Sequence, residues 1–151
     1  MIVAHRLVTN ASDYRALVPL IDDVSAHLGR KPREVSGDAG LATEANLTAL
    51  QARRIKGYLP PGRARHGEPH AAGGRKLTRM PLMAAMAQRL KRAGRRSRYR
   101  LRKQVVEPVF GQMKQARGFR QFLLRGLDRV RGEWAMICTA HNLLKLAHAT
   151  S

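Results

Sequence analysis

Cysteine is almost missing from this chain: Cys138 is the single one in 151 residues. An intramolecular disulfide and a cysteine-based zinc knuckle are therefore excluded, and Cys138, set among apolar neighbours from Met136 to Leu144, reads as a small core residue. Long apolar runs are lacking too. The stretch from Met1 to Asn10 shows neither a charged region leading into a long apolar segment nor a small-residue cleavage site, so no secretory signal or spanning helix is expected. With no lipidation signal and no basic amphipathic helix bearing an exposed apolar face, a membrane-surface role is not supported, and a cytoplasmic location is the expectation. Internal repeats of 20 to 50 residues and coiled-coil heptads are absent as well. His66 and His70 lie in a Gly/Pro-rich stretch without a Cys or carboxylate cluster, which does not suit zinc.

Acidic residues are scarce: 10 Asp and Glu face 29 Lys and Arg, a net charge of +19. Such a chain repels itself unless a polyanion is near, and nucleic acid is the natural partner. The imbalance is uneven. Residues 1–60 carry eight basic and six acidic side chains, whereas residues 61–151 carry 21 and four. The polyanion-facing surface is therefore expected mainly in the second part. Length and a 44% apolar content fit one domain, or a piece of one.

The pattern along the chain predicts α/β structure followed by a helical half. Ile2 to Thr9 is β-branched and reads as a strand. Leu17, Leu20, Ile21, Val24 and Leu28 recur at helical spacing, giving a helix from Tyr14 to Leu28 that Gly29 ends. Arg33 to Asp38 reads as a short strand, Thr43 to Arg53 as a second helix, and Ile55 to Leu59 as another strand stopped by Pro60 and Pro61. Strand and helix alternating in this way is an α/β signature for residues 1–60. Residues 61–77, rich in Gly and poor in large apolar side chains, read as a flexible loop. In the helical part, 78–151, Leu82, Met83, Met86 and Leu90 mark a helix from Thr78 to Gly94. A last helix from Leu127 to Ala147 aligns Leu127, Val130, Trp134, Ile137, His141 and Leu144 on one face, broadened by Met136, Ala140 and Leu143, and is expected to be buried.

Phosphodiester chemistry on an anionic backbone is commonly run with divalent metals, and these prefer carboxylate oxygens. Asp38 falls at the C-terminal end of a predicted strand, where open α/β sheets place ligand sites; shaping the turn or capping the next helix is its other reading. Glu107 is the only acidic residue between Glu68 and Asp128, among Arg95, Arg96, Arg98, Arg100, Arg102, Lys103 and Lys114. It reads either as a metal-binding carboxylate or as an ion-pair partner for one of those arginines. Pro108 places a helix start or a kink beside it. In a helix after that proline, Glu107 and Lys114, seven residues apart, share a face.

Tyr99, Arg102, Glu107 and Lys114 together resemble the signature of bacterial insertion-sequence transposases of the DDE class. The continuation through Gly118–Phe122, Leu124–Gly126, Glu133-Trp134, Cys138 and His141–Lys145 is similar to the end of such proteins, and Gly37-Asp38-Ala39-Gly40 to their Asp-x-Gly-Tyr element. The resemblance implies a ribonuclease-H-like fold, here incomplete, with Asp38 and Glu107 as catalytic carboxylates holding Mg²⁺ or Mn²⁺. It further implies DNA contacts at Tyr99, Arg102, Lys103, Lys114, Arg95 and Arg96, element ends and target DNA as partners, and a homo-oligomer for joining two ends. Leu41 stands where the family usually has Tyr, and four residues separate Arg102 from Glu107 where many relatives have three. The family's first catalytic Asp belongs on a strand upstream of Met1, and neither Asp13 nor the Asp22-Asp23 pair replaces it. The chain is accordingly expected to be the C-terminal portion of a catalytic domain, inactive by itself. A non-catalytic basic module that grips nucleic acid through phosphates alone is the alternative.

Overall fold

The computed structural model describes residues 1–9, 13–62, 80–93 and 104–150, the side chains of Ala93 and Glu107 excepted. They fall in two units, Val8–Arg102 and Met1–Leu7 with Lys103–Ser151.

In the first unit a 3₁₀ turn, Asp13–Ala16, leads into α1 (Leu17–Leu28), which buries Leu17 and Ile21 one turn apart. Gly29 then adopts φ +64°, the left-handed cap that ends helices at little cost only with glycine. Strands β1 (Glu34–Ser36) and β2 (Lys56–Tyr58) pair in parallel, Glu34 opposite Lys56 and Ser36 opposite Tyr58. Parallel neighbours need a crossover, and α2 (Glu44–Ala52) supplies it. The Thr43 hydroxyl starts α2 by accepting the Asn46 N–H at 3.1 Å. Helix α3 (Pro81–Ala93) begins on a proline, whose missing N–H costs nothing there. Glu44 of α2 accepts the Met83 N–H at 2.9 Å and so caps α3 from outside, a carboxylate at the favourable end of the helix dipole. Leu47, Leu50, Ile55, Tyr58, Leu59, Met83, Met86 and Leu90 close the core with Leu17 and Ile21.

In the second unit α4 (Glu107–Gly111) continues into a π turn, Gln112–Ala116, and α5 (Leu127–Thr150) follows. Pro108 sits in the first turn of α4, where no intrahelical bond is lost. Met113, Ile137 and Cys138 are buried together, with Ile2, Val109 and Trp134 packed against them.

The strands and helices expected within residues 13–62 and 80–93 are present with slightly shorter bounds, giving α/β structure with a two-stranded parallel sheet. The loop expectation for residues 61–77 lies, from residue 63 on, outside the described residues. Two expectations are corrected. Ile2 to Thr9 is not a strand; Ile2 instead exchanges two 2.7 Å hydrogen bonds with the Asn142 side chain. Helix α5 is not broadly buried: it buries only Ile137, Cys138 and His141, while Leu127, Met136, Leu143 and Leu144 are exposed. Its apolar residues surround the helix, and the segments packed on it cover a narrow strip.

Candidate metal and DNA-binding site

Parallel strands end at one edge of the sheet, and Asp38 stands there. The Gly37 N–H extends the ladder past β1 by bonding the Tyr58 carbonyl at 3.3 Å. The chain then folds into the turn Ala39–Leu41, closed by Leu41 N–H on the Asp38 carbonyl at 3.1 Å. Glycine is needed at 37: a Cβ would lie 2.8 Å from Leu41 Cδ1 and 3.0 Å from Leu59 Cδ2, and Leu59 is fully buried. Asn46 pins the turn from beneath. Buried at 6% exposure, it donates Nδ2 hydrogens to the carbonyls of Leu41 (2.8 Å) and Tyr14 (2.7 Å), so both donors are satisfied. Asp38 itself is exposed, and its side chain makes no capping hydrogen bond to the turn it precedes. A carboxylate carried on a firmly held strand end suits a hard cation.

Glu107 opens α4 in the other unit. Lys114 lies exposed in the π turn, next to buried Met113. The wider turn changes the register, so the rule that positions seven apart share a face, which holds for an α-helix, does not carry across it. Tyr99, Arg102, Lys103, Arg95 and Arg96 lie outside the described residues. Among the described residues, no group of three or more His, Cys, Asp or Glu converges on a metal-sized site. Asp38 fits one place in a Mg²⁺ shell by its oxygen chemistry. Exposed cations include Lys91 and Arg92 on the last turn of α3, and Arg120, Arg125 and Arg129 in the helical unit, all suited to phosphate.

Two residues have roles that their positions in the sequence do not announce. His141, fully buried, holds Nδ1 3.2 Å from an Arg117 guanidinium nitrogen. A guanidinium only donates, so Nδ1 accepts, which leaves the proton on Nε2, itself buried and without a hydrogen-bond partner among the described residues. Burial first, then the charges of Arg117, Lys145 and the N-terminal amine, push the imidazole below its ordinary pKa and keep it neutral. Glu133 reaches back ten residues: its two oxygens accept the Leu123 N–H at 2.8 and 3.1 Å, and one also accepts the Leu124 N–H at 3.0 Å. Being one of only four acidic residues after position 60 was the signal that could have singled out Glu133.

No helix among the described residues is long and apolar enough to cross a membrane. A family model described as a transposase DDE domain matches residues 71–147, a span that contains Glu107, Lys114, Glu133 and His141. No curated protein and no solved structure matches the chain significantly.

Proposed function

The chain belongs to the transposase DDE domain family, and from that premise we propose that it serves metal-dependent cleavage and joining of DNA strands in transposition, with Asp38 and Glu107 as the metal-holding carboxylates. The observation that carries this reading is Asp38, exposed at the C-terminal edge of β1 in a turn fixed by Gly37 and Asn46, in a chain whose family match spans Glu107. A ribonuclease-H-like domain would build on a parallel pair such as β1 and β2 with its α2 crossover.

Mg²⁺ or Mn²⁺ held there would supply an activated water or 3′ hydroxyl and neutralise the developing phosphate charge. The chain's own cations do the rest. Lys114, with Tyr99, Arg102, Lys103, Arg95 and Arg96, would fix the phosphates on either side of the scissile bond, and the basic end of α3 would extend that grip. Joining two element ends to a target calls for at least two copies of the chain, working where the chromosome is, in the cytoplasm.

The excess of 21 basic over four acidic side chains in residues 61–151 favours a second reading, a basic module that binds nucleic acid without catalysis. Mn²⁺ calorimetry and a Mg²⁺-dependent nicking assay on supercoiled DNA separate the two. The first reading expects Mn²⁺ binding to weaken roughly tenfold or more in Asp38→Asn and in Glu107→Gln, and any nicking to vanish in Glu107→Gln. DNA binding that ignores metal and both substitutions, with a steep salt dependence, establishes the second.

A further inference from the structure

The segment between the π turn and α5 holds Leu123 farther from the protein than any other large apolar side chain it carries. Gly118 (φ +71°) and Gly126 (φ +85°) turn the chain at its two ends. Between them Glu133 grips two consecutive backbone N–H groups, those of Leu123 and Leu124. Phe122 packs edge-on against Trp134, with ring centroids 6.1 Å apart. Despite this anchoring the Leu123 side chain is 76% exposed, the most exposed large apolar side chain among the described residues. A loop left to itself would turn such a group inward, because exposing it forfeits its burial energy. Here the backbone is fixed with the side chain out.

We propose that Leu123 is a wedge that enters the base stack of DNA, with Arg120 and Arg125 on the flanking phosphates. This rests on the DNA-acting reading above. The occupant follows from charge. Arg120 and Arg125 are both exposed, while the nearby carboxylates are engaged, Glu133 by the loop backbone and Asp128 by Arg131 at 3.0 Å. The loop thus joins cations to exposed apolar side chains, Phe119, Phe122 and Leu124 beside Leu123, which suits a polyanion that carries flat apolar bases. Leucine between base steps, with arginines on phosphates, is a known way to unstack and kink a duplex.

The test uses the whole chain and two duplexes of one sequence, one fully paired and one with a single mismatched step beside a 2-aminopurine. Expected is roughly tenfold tighter binding to the mismatched duplex, whose step is already partly unstacked, and a rise in 2-aminopurine emission on binding. Leu123→Ala abolishes both and leaves the salt dependence unchanged; Glu133→Gln reduces both; Met136→Ala, equally exposed on α5, changes neither. Thermal melting checks that each variant is folded. Equal binding to both duplexes without an emission change, or a Leu123→Ala protein that keeps the preference, overturns the wedge while DNA binding itself stands. Absence of any DNA binding overturns the underlying reading and the wedge with it. A Leu123→Ala effect on self-association alone, seen by sedimentation, also overturns it in favour of a contact between copies.

Discussion

Replacing Asn46 by Leu should unfold the sheet-bearing unit well before the wild-type temperature. The buried amide donates to two carbonyls, Tyr14 at 2.7 Å and Leu41 at 2.8 Å. Leucine has similar bulk but no donor, so both bonds vanish, and the Leu41 carbonyl keeps only the Thr43 N–H at 3.1 Å. At about 1 to 1.5 kcal/mol for each bond the loss is about 2 to 3 kcal/mol, which for a unit of this size lowers Tm by roughly 10 °C or more. Asn46→Asp sharpens the test, since the shape is kept while a carboxylate is set against two carbonyl oxygens. At pH 7 it should be worse than the leucine variant. Acidification should recover part of the deficit, because a protonated carboxyl regains one donor. Circular dichroism melts at pH 7 and pH 5 on all three proteins read the outcome. A leucine variant within about 2 °C of wild type, or an aspartate variant that does not respond to pH, would refute the assignment of the turn's rigidity to this amide.

Three further outcomes are expected. His141 is neutral in the folded chain with its pKa depressed below the ordinary 6.5, so the unfolded state takes up a proton first as pH falls. Its contribution is therefore complete above about pH 6.5 and lost below it, and Tm should drop by several degrees towards pH 5 with a shallower slope in His141→Gln. Gly57→Ala puts a Cβ 2.8 Å from the buried Leu50 Cδ1, and chemical denaturation should show a loss of about 1 to 3 kcal/mol. Burial raises the Cys138 thiol above its ordinary pKa, so a thiol reagent should label it slowly in the native protein and at once in denaturant.

Local pattern was enough for the elements whose partners lie close in sequence. Leu17 and Ile21 announce a buried helix face, Gly29 its end, Thr43 the cap of α2, and the crossover from β1 to β2 follows from their spacing. The position of Asp38 at a strand end could be read the same way. What pattern could not supply was the identity of distant partners. Ile2 finds Asn142 140 positions away, so a β-branched run that resembles a strand is held by a side chain instead. Leu143 and Met136 fit a buried stripe equally well, yet burial depends on what packs against α5, and periodicity carries no record of that. The same blindness hid Glu133, whose carboxylate acts on backbone groups of Leu123 and Leu124 that have no sequence signature.

The π turn gives the second unit an adjustable joint. One residue more than an α-helix needs is accommodated between Gln112 and Arg117, whose N–H reaches back five positions to the Gln112 carbonyl, so deleting a single exposed position there, Gln115, would restore α geometry. The helix before the turn would then rotate by about 100° about its axis relative to the chain beyond Arg117. A change of one codon would in this way turn one part of the segment against the other, a form of variation that substitution alone does not reach.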